Sequence, residues 1–194
     1  MSRPALTVIA GAKGAGKSTL TAGNVDVFGA IPILNPDVFV NILHSSGMGI
    51  SAISAGKEVL RLAKEHLARK ESFAVETTLS GKNYLQMMQY ARAIERGFEV
   101  VLIYIGTRSV EINLARIAKR VRAGGHDVPE PDVRRRYLRS FQNLPAAAGN
   151  AHQVLLFDNS EELGYRLVGS LGDSTRRWLI PVPVWAAELQ SKFP

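Results

Sequence analysis

The residues Gly11-Ala12-Lys13-Gly14-Ala15-Gly16-Lys17-Ser18 have the types and spacing to hold a phosphate chain. They match G-x-x-x-x-G-K-[ST] and follow the apolar run Leu6-Thr7-Val8-Ile9-Ala10, which predicts a loop launched from a buried strand. Glycines in such a loop let the backbone bend so that successive N–H groups point at phosphate oxygens. The helix that follows presents its positive end to the same anion. Lys17 is then the charge that reaches the outer phosphates, and the Ser18 hydroxyl is the expected Mg²⁺ ligand. Gly11 through Thr19 are therefore expected to bind ATP, with Mg²⁺ beside it.

A second set of groups suits transfer of a phosphoryl group. Asp37 follows Ile31-Pro32-Ile33-Leu34-Asn35, a place where a carboxylate takes the proton of an attacking hydroxyl. An aspartate after proline also suits a helix cap; its position at a strand end beside the P-loop favours chemistry. Glu76 closes the run Phe73-Ala74-Val75 and is expected either to bind a substrate hydroxyl or to help hold Mg²⁺ through water. Thr77, Thr78 and Ser80 share that rim as candidate substrate contacts. Asn159, after the last apolar run, lies where an adenine ring is expected.

Between Arg116 and Arg139 eight basic residues stand against three acids, a net +5. From this cluster Arg120, Arg135 and Arg136 are expected to stabilise charge on the transferring group, whereas Arg134 reads as a solvated face. His126, beside Gly124-Gly125, is expected to fix a turn. The histidines at 44, 66, 126 and 152 lack metal-ligand spacing.

Alternating strands and helices must position these groups. Strands are expected at 6–10, 31–35, 73–75, 100–105 and 154–157. Helices are expected from Gly16, at 51–69, 83–96, 110–122 and 131–144, and at 161–171. This predicts an α/β fold: a P-loop NTPase three-layer sandwich with a mainly parallel five-stranded sheet and a helical lid. Ligands of such sheets sit at the carboxyl ends of the strands, which is where the P-loop, Asp37, Glu76 and Asp158 converge. One domain is expected over 1–194, with the lid at about 116–144 and a tail at about 175–194 whose Trp185 packs on the body.

The composition narrows the classes. No cysteine is present, which excludes disulfides and thiolate chemistry. No apolar run is long enough for a membrane span, and the first strand leads into the P-loop rather than to a leader's cleavage site. A cytoplasmic location and no membrane partner are expected. The net charge of +7 raises nucleic acid as a partner. The basic cluster has few interleaved aromatics, Tyr137 and Phe141 excepted, so nucleic acid is not the expected ligand.

Several stretches together resemble the zeta toxin family of P-loop kinases, in its short zeta-like form. They are Gly11–Ser18, Asn35-Pro36-Asp37, Phe73-Ala74-Val75-Glu76-Thr77-Thr78-Leu79-Ser80-Gly81, Arg120 through Val128-Pro129, and Arg135-Arg136-Tyr137-Leu138-Arg139-Ser140. The resemblance implies a kinase that phosphorylates a sugar nucleotide such as UDP-N-acetylglucosamine. It implies that Lys17 and Ser18 hold ATP and Mg²⁺, and that Asp37 activates the sugar 3′-hydroxyl. Glu76 and Thr78 would contact the sugar nucleotide, and Arg120 with one of Arg135 or Arg136 would be the lid arginines. An antitoxin protein is the partner the resemblance implies. Two other readings stand beside it: a kinase of nucleic-acid ends or of another small metabolite, and a nucleotide-dependent binding module without turnover.

Overall fold

The structure, a computed structural model, describes residues 3–28, 30–45, 52–92, 97–125 and 127–194. His126 and the last turn of the helix expected through Arg96 lie outside the described residues. Five parallel strands form the centre: β1 (Ala5–Ala10), β2 (Ile33–Leu34), β3 (Phe73–Thr77), β4 (Glu99–Gly106) and β5 (Gln153–Asp158). Two antiparallel strands, β6 (Arg166–Gly172) and β7 (Arg176–Trp178), extend one edge, and the order across the sheet is β2-β3-β1-β4-β5-β6-β7. The register sets Ile9 beside Glu76 and Ile103, so the P-loop and Glu76 leave adjacent strands at the same level.

Side-chain alternation along β1 feeds two cores. Leu6 and Val8 face α4 (Ala52–Arg69) and α5 (Asn83–Arg92) through residues such as Val59, Ala63, Met87 and Met88. Ile9 joins Phe28 and Ile103 on the opposite face, under the short helices α1 (Lys17–Ala22) and α2 (Val25–Phe28). Buried on both faces, the central strands read as continuous apolar runs, as parallel strands do.

The hairpin of α6 (Val110–Arg122) and α7 (Glu130–Gly149) lies over the carboxyl end of the sheet, with Gly124 at φ 87° in its turn. α7 continues through Pro145 to Gly149, past the end expected at Leu144. It is bolted down by polar contacts in the core. The Tyr137 hydroxyl donates to the Thr107 carbonyl at 2.7 Å, and the Tyr104 and Ser140 hydroxyls meet at 2.9 Å.

The helix expected at 161–171 is instead strand β6, and the expected tail contributes β7, so among the described residues the sheet has seven strands rather than five. Leu163, Leu167, Val168 and Leu171 repeat at helical spacing, but Gly164, Gly169 and Gly172 weaken a helix, and pairing with β5 and β7 decides the outcome. The tail forms α8 (Val184–Lys192). As expected, Trp185 packs on the body: its ring lies 5.7 Å from Tyr104 and 5.9 Å from Phe141. The indole fills the space that a side chain at Gly106 would need. Its Nε1 donates to Asp158 Oδ2 at 2.7 Å, so Asp158 is tied to the tail and does not join the rim's chemistry.

Candidate functional site

A cleft of about 630 Å³ opens at the carboxyl ends of β1, β2 and β3 beneath the α6–α7 hairpin. Its floor is the P-loop. Gly16 sits at φ 108°, where a side chain is strained, and a Cβ there would lie 2.5 Å from Asn159 Nδ2. Three side chains from distant elements hold the loop's carbonyls. Asn113 Nδ2 donates to Lys13 O at 2.7 Å, Asn159 Nδ2 to Ala15 O at 2.8 Å, and the Tyr165 hydroxyl to Gly16 O at 2.7 Å. The cradle is thus shaped before any anion arrives, which lowers the ordering cost of binding.

Lys17 Nζ donates to Gly11 O at 2.8 Å and to Ala12 O at 3.2 Å. Burial pushes its ammonium down from 10.5 to about 8. The Glu76 and Asp37 carboxylates pull it back up, and Lys13 and Arg120 push the same way as burial.

Glu76 is 5% exposed and accepts three hydrogen bonds. Ser18 Oγ donates to Oε2 at 2.8 Å, Asn35 Nδ2 to Oε2 at 2.8 Å, and Thr21 Oγ1 to Oε1 at 2.9 Å. A hydroxyl and a buried carboxylate side by side beneath a phosphate cradle are the donor set that Mg²⁺ uses, since that ion takes few protein oxygens and completes its shell with phosphate and water. No cluster of three or more His, Cys, Asp or Glu that could hold a metal occurs among the described residues.

Asp37 lies in the first turn of α3 (Pro36–Ser45) and is not its cap; Asn35 Oδ1 accepts the Asp37 N–H at 2.9 Å. Across the mouth of the P-loop, Lys13 Nζ lies 3.0 Å from Asp37 Oδ2. Desolvation at the cleft wall works upward on this carboxyl. The Lys13 ammonium, with Lys17 and Arg120 behind it, outweighs that and holds it below the usual carboxylate range.

Arg120 and Arg136 line the cleft from the two helices of the hairpin. Arg135 points elsewhere and pairs with Asp132 at 2.8 Å. Arg134 is held on the surface by Glu111 and Glu130, which fits its reading as a solvated face. Thr78 lines the cleft and its hydroxyl meets that of Ser80 at 2.9 Å. Thr77 also lines it, but its hydroxyl accepts the Leu79 N–H at 3.0 Å, in a turn where Leu79 takes φ 55°.

Five residues enter to which the sequence assigned no role in the site: Asn35, Tyr84, Arg116, Asn113 and Tyr165. Asn35 was legible as a side-chain cap before Pro36-Asp37. Arg116 lines the cleft and donates to the Asn159 carbonyl at 2.9 Å. Asn113 looked like one polar residue of an amphipathic helix, and Tyr165 lay in the segment read as a helix.

Among known proteins, one from Haemophilus influenzae, described as uncharacterized, is 38% identical over 127 residues, which is 66% of this chain and 88% of that one. The crystal structure of AvrRxo1-ORF1:-ORF2 with ATP superposes with a TM-score of 0.72 at 20% identity, covering 98% of this chain and 63% of that chain. The chain therefore spans less than two thirds of that relative. The PezAT chromosomal toxin-antitoxin system of Streptococcus pneumoniae gives a TM-score of 0.66 at 17% identity, over 100% of this chain and 79% of that one. At such identities the likeness is one of fold. A family described as an AAA domain matches residues 6–144. The match opens on the strand that launches the P-loop and closes on the helix that carries Arg136, and the chain belongs to the AAA domain family.

Proposed function

We propose that the protein is an ATP-dependent phosphotransferase of the zeta toxin type, acting on a hydroxyl of a sugar nucleotide such as UDP-N-acetylglucosamine. The observation that carries this reading is the place of Asp37: a carboxylate across the mouth of the P-loop, in one cleft with Lys17, Ser18, Glu76, Arg120 and Arg136. A binding module needs the cradle; it has no need of a carboxylate and two arginines converging beyond it.

The loop and Lys17 bind the triphosphate. The acceptor oxygen forms a bond to the γ-phosphorus while the bond to the β–γ bridging oxygen breaks. The acceptor's proton passes to the Asp37 carboxylate and from there to water. A weakly basic carboxylate suffices, because the transition state is loose and asks little of the nucleophile. Arg120 and Arg136 stabilise charge on the moving group, and residues 116–144 serve as the lid. Ser18 and Glu76 would hold Mg²⁺, which neutralises phosphate charge when bound. Thr78 and Tyr84 flank the acceptor side. The fold shared with a structure solved with ATP supports the nucleotide. The fold shared with a toxin-antitoxin system supports a protein partner, which is part of the proposal.

The test is mass spectrometry of a reaction with Mg²⁺-ATP and UDP-N-acetylglucosamine, with Asp37→Asn in parallel. Phosphorylated sugar nucleotide made only by the natural chain is the expected result. Full transfer by Asp37→Asn would overturn the base. No product, with nucleotide binding intact, would overturn the acceptor and send the search to a metabolite extract.

A further inference from the structure

The P-loop carries a second lysine that its motif does not demand. Lys13 occupies one of the four unspecified positions and is nevertheless 8% exposed. Its backbone is pinned by Asn113, and its ammonium lies 3.0 Å from Asp37 Oδ2. Lys17 meanwhile is bonded to the loop's own carbonyls. The two lysines thus meet different partners. Both Lys13 and Asp37 line the cleft, and transfer to a hydroxyl activated by Asp37 requires the terminal phosphate to come close to that carboxylate.

That placement creates a conflict. A carboxylate and a terminal phosphate are both anions, and bringing them together is unfavourable unless a cation is shared between them. Lys suits the task better than Arg, because its ammonium is a compact point charge on a flexible stem and can serve two oxygens that are not coplanar.

We propose that Lys13 bridges the Asp37 carboxylate and the terminal phosphate of a bound nucleoside triphosphate, so that base and phosphate share one cation. This rests on the nucleotide site described above and adds a catalytic residue to it. In the transfer step Lys13 keeps Asp37 ionised until the acceptor's proton arrives. It remains against the γ-phosphoryl group as that group leaves the β–γ bridging oxygen.

Calorimetric titration at one pH and ionic strength tests it, with a non-hydrolysable ATP analogue and with ADP. The proteins are the natural chain, Lys13→Met, Asp37→Asn and the double variant. Lys13→Met should weaken the triphosphate analogue tenfold or more and ADP less than threefold. Adding Asp37→Asn to Lys13→Met should recover at least fivefold in triphosphate affinity, while Asp37→Asn alone should change it less than threefold. Equal losses for ADP and the triphosphate would mark general damage to the loop and overturn the bridge. So would equal effects of Asp37→Asn in the two backgrounds. Lys13→Gln replaces Lys13→Met if the latter fails to fold, and is read by the same criteria. No acceptor enters these titrations. A protein that shows the coupling yet phosphorylates nothing would sink the transferase reading and leave the bridge standing.

Discussion

Lys17 makes nucleotide binding consume a proton in mildly alkaline solution. Burial disfavours its charged form and pushes the ammonium down from 10.5 to about 8. A bound triphosphate surrounds the same ammonium with negative charge and restores the ordinary value or more. At pH 9 the free protein then holds roughly 0.1 proton on Lys17 and the complex holds roughly one, so about 0.9 proton is taken up per nucleotide. Affinity should fall roughly tenfold per pH unit above 8, about 1.4 kcal/mol each, levelling near 10.5. The sign for the unliganded fold is the reverse. The native state binds fewer protons than the unfolded chain between 8 and 10.5, so stability rises with pH across that window, by about 3 kcal/mol in all. The assay is calorimetry of a non-hydrolysable ATP analogue at pH 7 and pH 9, in two buffers of different ionisation enthalpy. The triphosphate is fully ionised at pH 9, so the uptake belongs to the protein. Uptake below about 0.3 proton at pH 9 would refute the argument. Lys17→Arg, which stays charged throughout, should show none, and equal uptake by that variant would refute it too.

Other outcomes follow from the same geometry. Arg136→Ala should lower kcat by about 100-fold with little change in the melting temperature, while Arg135→Ala should leave kcat within about twofold, as steady-state kinetics would show. Glu76→Ala leaves the buried Asn35 amide without its acceptor and takes a hydrogen bond from each of the Thr21 and Ser18 hydroxyls, and should cost about 3 kcal/mol. For a chain of this size that is a fall of about 6–12 °C in melting temperature, with loss of Mg²⁺-dependent activity beyond it. Asn113→Ala removes the bond that holds Lys13 O and should cost about 1–3 kcal/mol by denaturant unfolding, with weaker nucleotide binding at a temperature where the fold is intact. Gly16→Ala should abolish nucleotide binding, because its φ of 108° and the Asn159 amide leave a methyl no place; unchanged affinity by calorimetry would contradict that.

The parallel half of this fold is legible in sequence because its strands are buried on both faces and so appear as unbroken apolar runs, Val100 to Ile105 most plainly. The P-loop is legible because phosphate leaves few alternatives for its glycines and Lys17. Asp37 and Glu76 are found as candidates because a strand's carboxyl end is where an α/β sheet keeps its chemistry. The antiparallel edge is not legible in this way. β6 exists through pairing with β5 and β7, while its own apolar spacing fits a helix, so a local pattern points the wrong way where a long-range contact decides. The arginine run leaves its register open for a related reason. Arg135 and Arg136 are neighbours in the chain but lie about a quarter-turn apart on α7, and only the docking of that helix through Tyr137 and Ser140 selects Arg136 for the cleft. The supports of the P-loop, Asn113 and Tyr165, are unremarkable in type and distant in sequence, and their meaning lies in the carbonyls they meet.

The tail's hold on the sheet has a bearing on how such a chain can change over generations. Gly106 has no need of glycine's backbone freedom; its bareness is demanded by the indole of Trp185 lying against it. The two positions therefore form one inherited unit with a preferred order of replacement. A side chain gained at 106 while Trp185 is present evicts the indole and takes the partner of Asp158 Oδ2 with it. The same side chain gained after 185 has become small fills the space the indole left. Among descendants of this sequence, a larger residue at 106 should be found together with a reduced one at 185, and the reverse order of events should be rare.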